Sequence, residues 1–124
     1  MKEAKASPVM AGAWAWGAGF AGGDQVFGAA LDAAALKPVV EKALELGIRS
    51  FDTAAIYGNG SSEAILGELL KGIPRESVVI STKFTPQIAA SVGKPVEAML
   101  EESLKRLGTD YIDLYWIHNS ADVE

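Results

Sequence analysis

Asp52, Tyr57, Lys83 and His118 are the side chains whose types could do chemistry together. Asp52 closes the expected strand Ile48–Asp52, Lys83 lies at the end of Ser77–Phe84, and His118, the only histidine, closes Tyr111–His118. Side chains alternate along a strand. Asp52 therefore shares a face with Ser50 and Ile48, Lys83 with Ser81 and Val79, and His118 with Trp116 and Leu114. Tyr57 lies in the loop Thr53–Gly60 and can fold back over the same rim. Taken singly, each residue has an ordinary structural role: a strand-end histidine, a helix-capping aspartate, a solvated lysine, a packed tyrosine. Together they have a chemical rationale. A phenol, with a pKa near 10, is a weak proton donor at neutral pH unless its phenolate is stabilised. A nearby ammonium lowers that pKa, a carboxylate holds the ammonium in place, and an imidazole orients a carbonyl oxygen beside the phenol. Such a site protonates an alkoxide as hydride arrives at carbon.

The elements that position these residues alternate. Strands are expected at about residues 9–14, 48–52, 77–84 and 111–118. Ala34–Leu46 reads as a helix with Val40, Ala43, Leu44 and Gly47 on one face, terminated at Gly47. Pro38 removes an N–H and leaves a later start, near itself, open. Ser62–Lys71 reads as a helix stopped by Gly72 and Pro74. Pro95–Leu107 reads as a third, with Glu101–Lys105 and Glu102–Arg106 as i,i+4 pairs on its wet face. Apolar strands separated by amphipathic helices predict a parallel sheet covered by helices. A doubly wound sheet and part of a (β/α)8 barrel both fit, and both put chemistry at the carboxyl ends of the strands.

Composition narrows the function. The chain has 124 residues, 49% hydrophobic and 22% charged, a balance that predicts one globular domain or part of one. With no cysteine there is no disulfide framework, thiolate metal site or cysteine nucleophile, and one histidine gives too few strong ligands for a metal. A net charge of −5 argues against nucleic-acid and anionic-membrane partners. No apolar run reaches the ~20 residues of a membrane span. Lys2 and Lys5 before Val9–Ala21 imitate a signal peptide, but the glycine-rich run without Leu or Ile reads better as a buried strand and a loop. The cytoplasm is the expected location. Gly17–Gly22 matches G-x-G-x-x-G, but Gly23–Gly28 is a poor helix start, so a dinucleotide fingerprint is not expected.

The motifs around these residues resemble the aldo-keto reductases. Phe51-Asp-Thr-Ala-Ala-Ile-Tyr57-Gly-Asn-Gly-Ser-Ser-Glu63 with Ile65-Leu-Gly67 is similar to that family's second-strand motif, Asp-Thr-Ala-x-x-Tyr-Gly with a later Ser-Glu and Leu-Gly. Ile80-Ser-Thr-Lys83 is similar to its third strand, and Leu104 to His118, through Leu107-Gly-Thr-Asp-Tyr-Ile-Asp-Leu-Tyr-Trp-Ile-His, to its fourth. Gly12-Ala-Trp14 resembles the end of its first. The resemblance implies a (β/α)8 barrel and a catalytic tetrad of Asp52, Tyr57, Lys83 and His118. In it Tyr57 is the general acid, Lys83, paired with Asp52, lowers its pKa, and His118 positions the carbonyl. It implies NADPH (or NADH) as hydride source and a small-molecule aldehyde or ketone as substrate. Gly12, Ala13, Asp52 and Asn119 are the implied cofactor contacts, although Ala13 stands where the family often has a threonine. Trp14 and Trp16, with Tyr57 and His118, are the implied substrate contacts.

The resemblance runs from about Val9 to the last residue, so residues 1–124 read as the N-terminal part of one barrel domain. A whole barrel of this type takes about 250 residues. Three readings are open. The chain is the first half of a reductase, or a short protein that self-associates as two half-barrels, or an inactive interaction module that keeps the family's residues.

Overall fold

The computed structural model describes residues 6–86 and 96–119. Strand β1 (Met10–Gly12) is followed by the one-turn helix α1 (Gly23–Val26), α2 (Ala33–Glu45) and β2 (Ser50–Asp52). A 3-10 turn (Tyr57–Gly60) leads into α3 (Ser61–Leu69), and then come β3 (Val79–Phe84), α4 (Val96–Leu107) and β4 (Leu114–Ile117). The four strands form one parallel sheet in the order β1-β2-β3-β4. A doubly wound sheet reverses its strand order at a switch point. This sheet does not, so of the two expected architectures the structure takes the first half of a barrel.

The sheet has two unlike faces. Phe51 and Ile80 pack outward against Leu36 and Val40 of α2, Leu66 of α3 and Leu107 of α4, and form the main core. The opposite face carries Met10, Asp52, Ser81, Lys83, Leu114, Trp116 and, just beyond β4, His118. The register sets Gly12 beside Asp52, Asp52 beside Ser81, and Lys83 beside Trp116. The polar residues of the rim thus share the concave face, and the apolar core lies behind it.

Local chemistry explains the element boundaries. Asp32 caps α2, its Oδ1 accepting from the Ala35 N–H at 2.9 Å. That cap starts the helix at Ala33, ahead of Pro38, which sits inside the helix and costs it one backbone bond. Gly47 terminates it with φ +81°. All four strands are shorter than expected, ending where ladder partners do: Met10–Gly12 against 9–14, Ser50–Asp52 against 48–52, Val79–Phe84 against 77–84 and Leu114–Ile117 against 111–118. Pro95 lies outside the described residues.

Two expectations are corrected here. A helix does open at Gly23, but for a single turn, and its amides are used internally: Gly23 N–H bonds Gly17 O and Gly22 N–H bonds Gly19 O. Arg106 does not pair chiefly with Glu102 on a wet face. Its nearer partner is Glu63, fully buried, whose Oε1 accepts from Nη2 at 2.7 Å and from Nε at 3.2 Å, while Glu102 stands at 4.0 Å. A buried carboxylate needs a cation and hydrogen bonds more than an exposed one does, so Glu63 takes the guanidinium.

Candidate active site

Lys83 projects from β3 into the rim and donates to Asp52 Oδ2 and to the Thr53 carbonyl, both at 2.8 Å. Asp52 Oδ1 accepts from Ser81 Oγ at 2.8 Å, and Ser81 Oγ in turn accepts from the Trp116 indole N–H at 2.9 Å. The carboxylate is thereby fixed from two sides, and the ammonium is held by it. Lys83 Nζ stands 5.3 Å from the centroid of the Tyr57 ring. That ring meets His118 edge to face, with centroids 5.8 Å apart. The four side chains read from three strand ends and a loop therefore converge on one rim.

Electrostatics at the rim differ in one respect from expectation. Burial, and after it the Asp52 carboxylate, push the Tyr57 phenol above its ordinary value. This direction is opposite to the lowering expected from Lys83, whose ammonium is paired with Asp52 at 2.8 Å and stands 5.3 Å from the ring centroid. Burial also holds the His118 imidazole below its ordinary value. Lys83 adds to that lowering and Asp52 opposes it. At neutral pH the rim thus presents a protonated phenol and an uncharged imidazole, which keeps one N–H and one lone pair. His118 Nδ1 lies 3.4 Å from Thr85 Oγ1, at the long end of hydrogen bonding.

The remaining predicted residues divide. Trp14 reaches the mouth, stacked on Tyr57 at 5.6 Å, with its indole N–H bonded to Ala21 O. Gly12 closes β1 beside Asp52, and a Cβ there would meet nothing within 4 Å. Asn119 is exposed next to His118. Trp16 and Ala13 are buried in the main core, Trp16 bridged to Leu31. Apolar side chains in the tight turn after β1 gain more by packing under α2 than by facing the open rim.

Three contributors were not predicted. Phe27 packs edge to face on Trp14 at 5.3 Å and extends the aromatic wall. Ser81 is legible in hindsight, since it alternates with Lys83. The Thr53 carbonyl is a backbone group and leaves no mark in the sequence.

Comparison with known proteins bears on this geometry. The model of the Aldo/keto reductase family matches residues 8–122. A methylglyoxal reductase of Escherichia coli is 42% identical over 78 residues, 63% of this chain and 26% of that protein. Glycerol 2-dehydrogenase (NADP(+)) of Saccharomyces cerevisiae is 44% identical over 84 residues, 66% of this chain and 25% of that protein. The chain spans about a quarter of the length of the curated relatives it matches. Among solved structures, an aldo-keto reductase from Klebsiella pneumoniae in complex with NADPH is similar at a TM-score of 0.65 and 28% identity, over 88% of this chain and 36% of that one. An aldo-keto reductase from Bacillus halodurans in its holo form matches at 0.67 and 28% identity, over 94% and 38%.

Proposed function

The chain belongs to the aldo/keto reductase family, and from that premise we propose that its rim carries the proton-transfer half of an NAD(P)H-dependent reduction of aldehydes or ketones. The observation that carries this reading is the Lys83–Asp52 pair, 2.8 Å long, set beneath a Tyr57 ring that also faces His118. Tyr57 is the general acid. Burial and the Asp52 carboxylate raise its pKa and so weaken the resting acid, and the proton leaves only as the phenolate is stabilised. As a negative charge grows on the substrate oxygen, the ammonium of Lys83 offsets the phenolate left behind. His118, uncharged, takes up the carbonyl oxygen beside the phenol and orients it. Trp14 walls the mouth next to the acid.

The residues present fit the nicotinamide end of the cofactor. The space over Gly12 is open, Asp52 stands beside it in register, and Asn119 is exposed next to His118, so these three would hold that end. When bound, NADPH or NADH supplies the hydride, and the protein supplies orientation and electrostatics. Lys83, the rim's cation among the described residues, is spent on Asp52. The cofactor's phosphates therefore find no charged partner in the described rim. No helix among the described residues is long and apolar enough to cross a membrane, and the substrate class we assign is a small carbonyl compound.

The test monitors reduced-nicotinamide absorbance with 4-nitrobenzaldehyde, for the chain and for Tyr57→Phe. Removing the acid is expected to slow turnover by about a hundredfold or more. Equal rates in the two would sink Tyr57 as the acid.

A second reading is favoured by one observation. Trp116, 53% exposed, together with Leu114 and Met10, puts exposed apolar side chains on the open concave face beside its polar ones. A half-barrel of this form self-associates through that face.

A further inference from the structure

The segment Ser61-Ser62-Glu63 opens α3 and takes no part in the chemistry above. Its three side chains nevertheless reach three different parts of the molecule. Ser61 Oγ donates to Ala18 O in the loop after β1, at 3.1 Å. Glu63 accepts from Thr82 Oγ1 of β3 at 3.2 Å and from Arg106 of α4. Ser62 Oγ donates to Ala13 O at 2.7 Å and lies 2.8 Å from Thr53 Oγ1. A serine hydroxyl has one proton. With that proton on Ala13 O, Thr53 is the donor in the second bond. Ser62 and Thr53 are both wholly buried.

Thr53 is the residue whose carbonyl receives the Lys83 ammonium. It comes directly after Asp52, at the point where the chain leaves the sheet. Its own N–H bonds Ser81 O at 2.9 Å, and the chain on either side is tied by Ala13 N–H to Asp52 O at 2.8 Å and Ala55 N–H to Lys83 O at 3.0 Å. The Thr53 carbonyl belongs to the peptide that follows, so the Thr53 N–H bond does not by itself set its direction. A second attachment, through the side chain, fixes its direction. The second attachment here is the hydroxyl bond to Ser62. The plain alternative is that Ser62 only satisfies buried polar atoms at the start of α3. It does not cap that helix, whose N-cap is Gly60 without a side-chain bond.

We propose that Ser62 is a positioning residue for Lys83: its hydroxyl, through Thr53, aims the carbonyl that holds the ammonium against Asp52. The catalytic meaning of that placement rests on the reductase reading. The placement itself does not, and it is measured without turnover.

The experiment is limited acylation of the lysines by acetic anhydride, read peptide by peptide in a mass spectrometer, with exposed Lys42 as internal standard. Thr53→Val keeps the side-chain volume and removes the hydroxyl, while Thr53→Ser keeps the hydroxyl. Lys83 is expected to label several-fold faster, relative to Lys42, in Thr53→Val, and at the parent rate in Thr53→Ser. An unchanged ratio in folded Thr53→Val, checked by circular dichroism, overturns the proposal, and so does an equal rise in both variants. Should Thr53→Val fail to fold, Ser62→Cys replaces it, a near-isosteric change to a weak hydrogen-bonding group. Faster Lys83 labelling in a protein whose parent turns over no carbonyl supports the positioning and counts against the reductase reading alone.

Discussion

His118 is the rim residue whose charge state is set most plainly by its surroundings. Burial and the Lys83 ammonium both disfavour the imidazolium, and Asp52 compensates only in part. A lowered folded-state pKa means that the unfolded chain binds the proton more tightly. The stability this residue contributes is therefore complete above about pH 6.5, the ordinary histidine value, and is lost as pH falls through the lower folded value. Because the chain has one histidine, its ring resonances can be titrated by NMR without ambiguity. The expected midpoint lies below 6.5, with the urea unfolding midpoint falling over the same acid range. A titration at or above 6.5 would show that the imidazole is solvated and not held in the rim.

The same scale shows what the amino-acid sequence could and could not convey. Asp52, Lys83 and His118 were legible because each lies at the end of an expected strand, and alternation along a strand puts such ends on one face. Tyr57 was legible from its place in the loop after Asp52. The pKa direction of its phenol was not, since it is set by burial and then by the Asp52 carboxylate. Nor was Arg106 legible: an i,i+4 glutamate is visible in sequence, whereas Glu63 lies 43 positions away. Trp14 and Trp16 look alike in sequence and part company in the fold, one stacked on Tyr57 and the other buried under α2.

At the scale of elements, α3 is the piece on which the rim depends, and its seat against α4 is close. A Cβ built on Gly67 would stand 2.4 Å from the Arg106 carbonyl oxygen and 2.8 Å from the Leu107 carbonyl. Two opposed effects then meet in Gly67→Ala. Alanine is the better helix former by about 1 kcal/mol. Forcing a methyl into backbone costs roughly 1–3 kcal/mol in a packed interior, and more where neither helix can withdraw. The steric term wins, so the variant is expected to unfold at lower urea concentration than the parent. A raised midpoint would show that α3 and α4 part freely, and the Glu63–Arg106 pair between them would then be loose as well. The order of elements was readable because hydrophobic periodicity switches cleanly between strand and helix along the chain. The start of α2 was not fixed by periodicity: Pro38 left a later start open, and the bond that sets it, from the Ala35 N–H to Asp32 Oδ1, exists only in the fold.

At the scale of the whole molecule the asymmetry of the sheet decides behaviour. Its outer face is covered by α2, α3 and α4, while its concave face presents Trp116, Leu114 and Met10 to solvent. The outer edges of β1 and β4 have no strand partner among the described residues. Unpaired parallel edges and exposed apolar side chains both favour association. A net charge of −5 opposes it only weakly at physiological salt, where exposed charges are screened beyond about 8 Å. Eight strands close a small barrel. Two copies, with β4 of each beside β1 of the other, supply eight and would bury Trp116 of both. Light scattering on the chain is thus expected to give a dimer or larger species, with Trp116 emission shifting to the blue as concentration rises. A folded monomer across that range, with unchanged emission, would show that the concave face tolerates water and that the half-barrel stands by its helix-covered core alone.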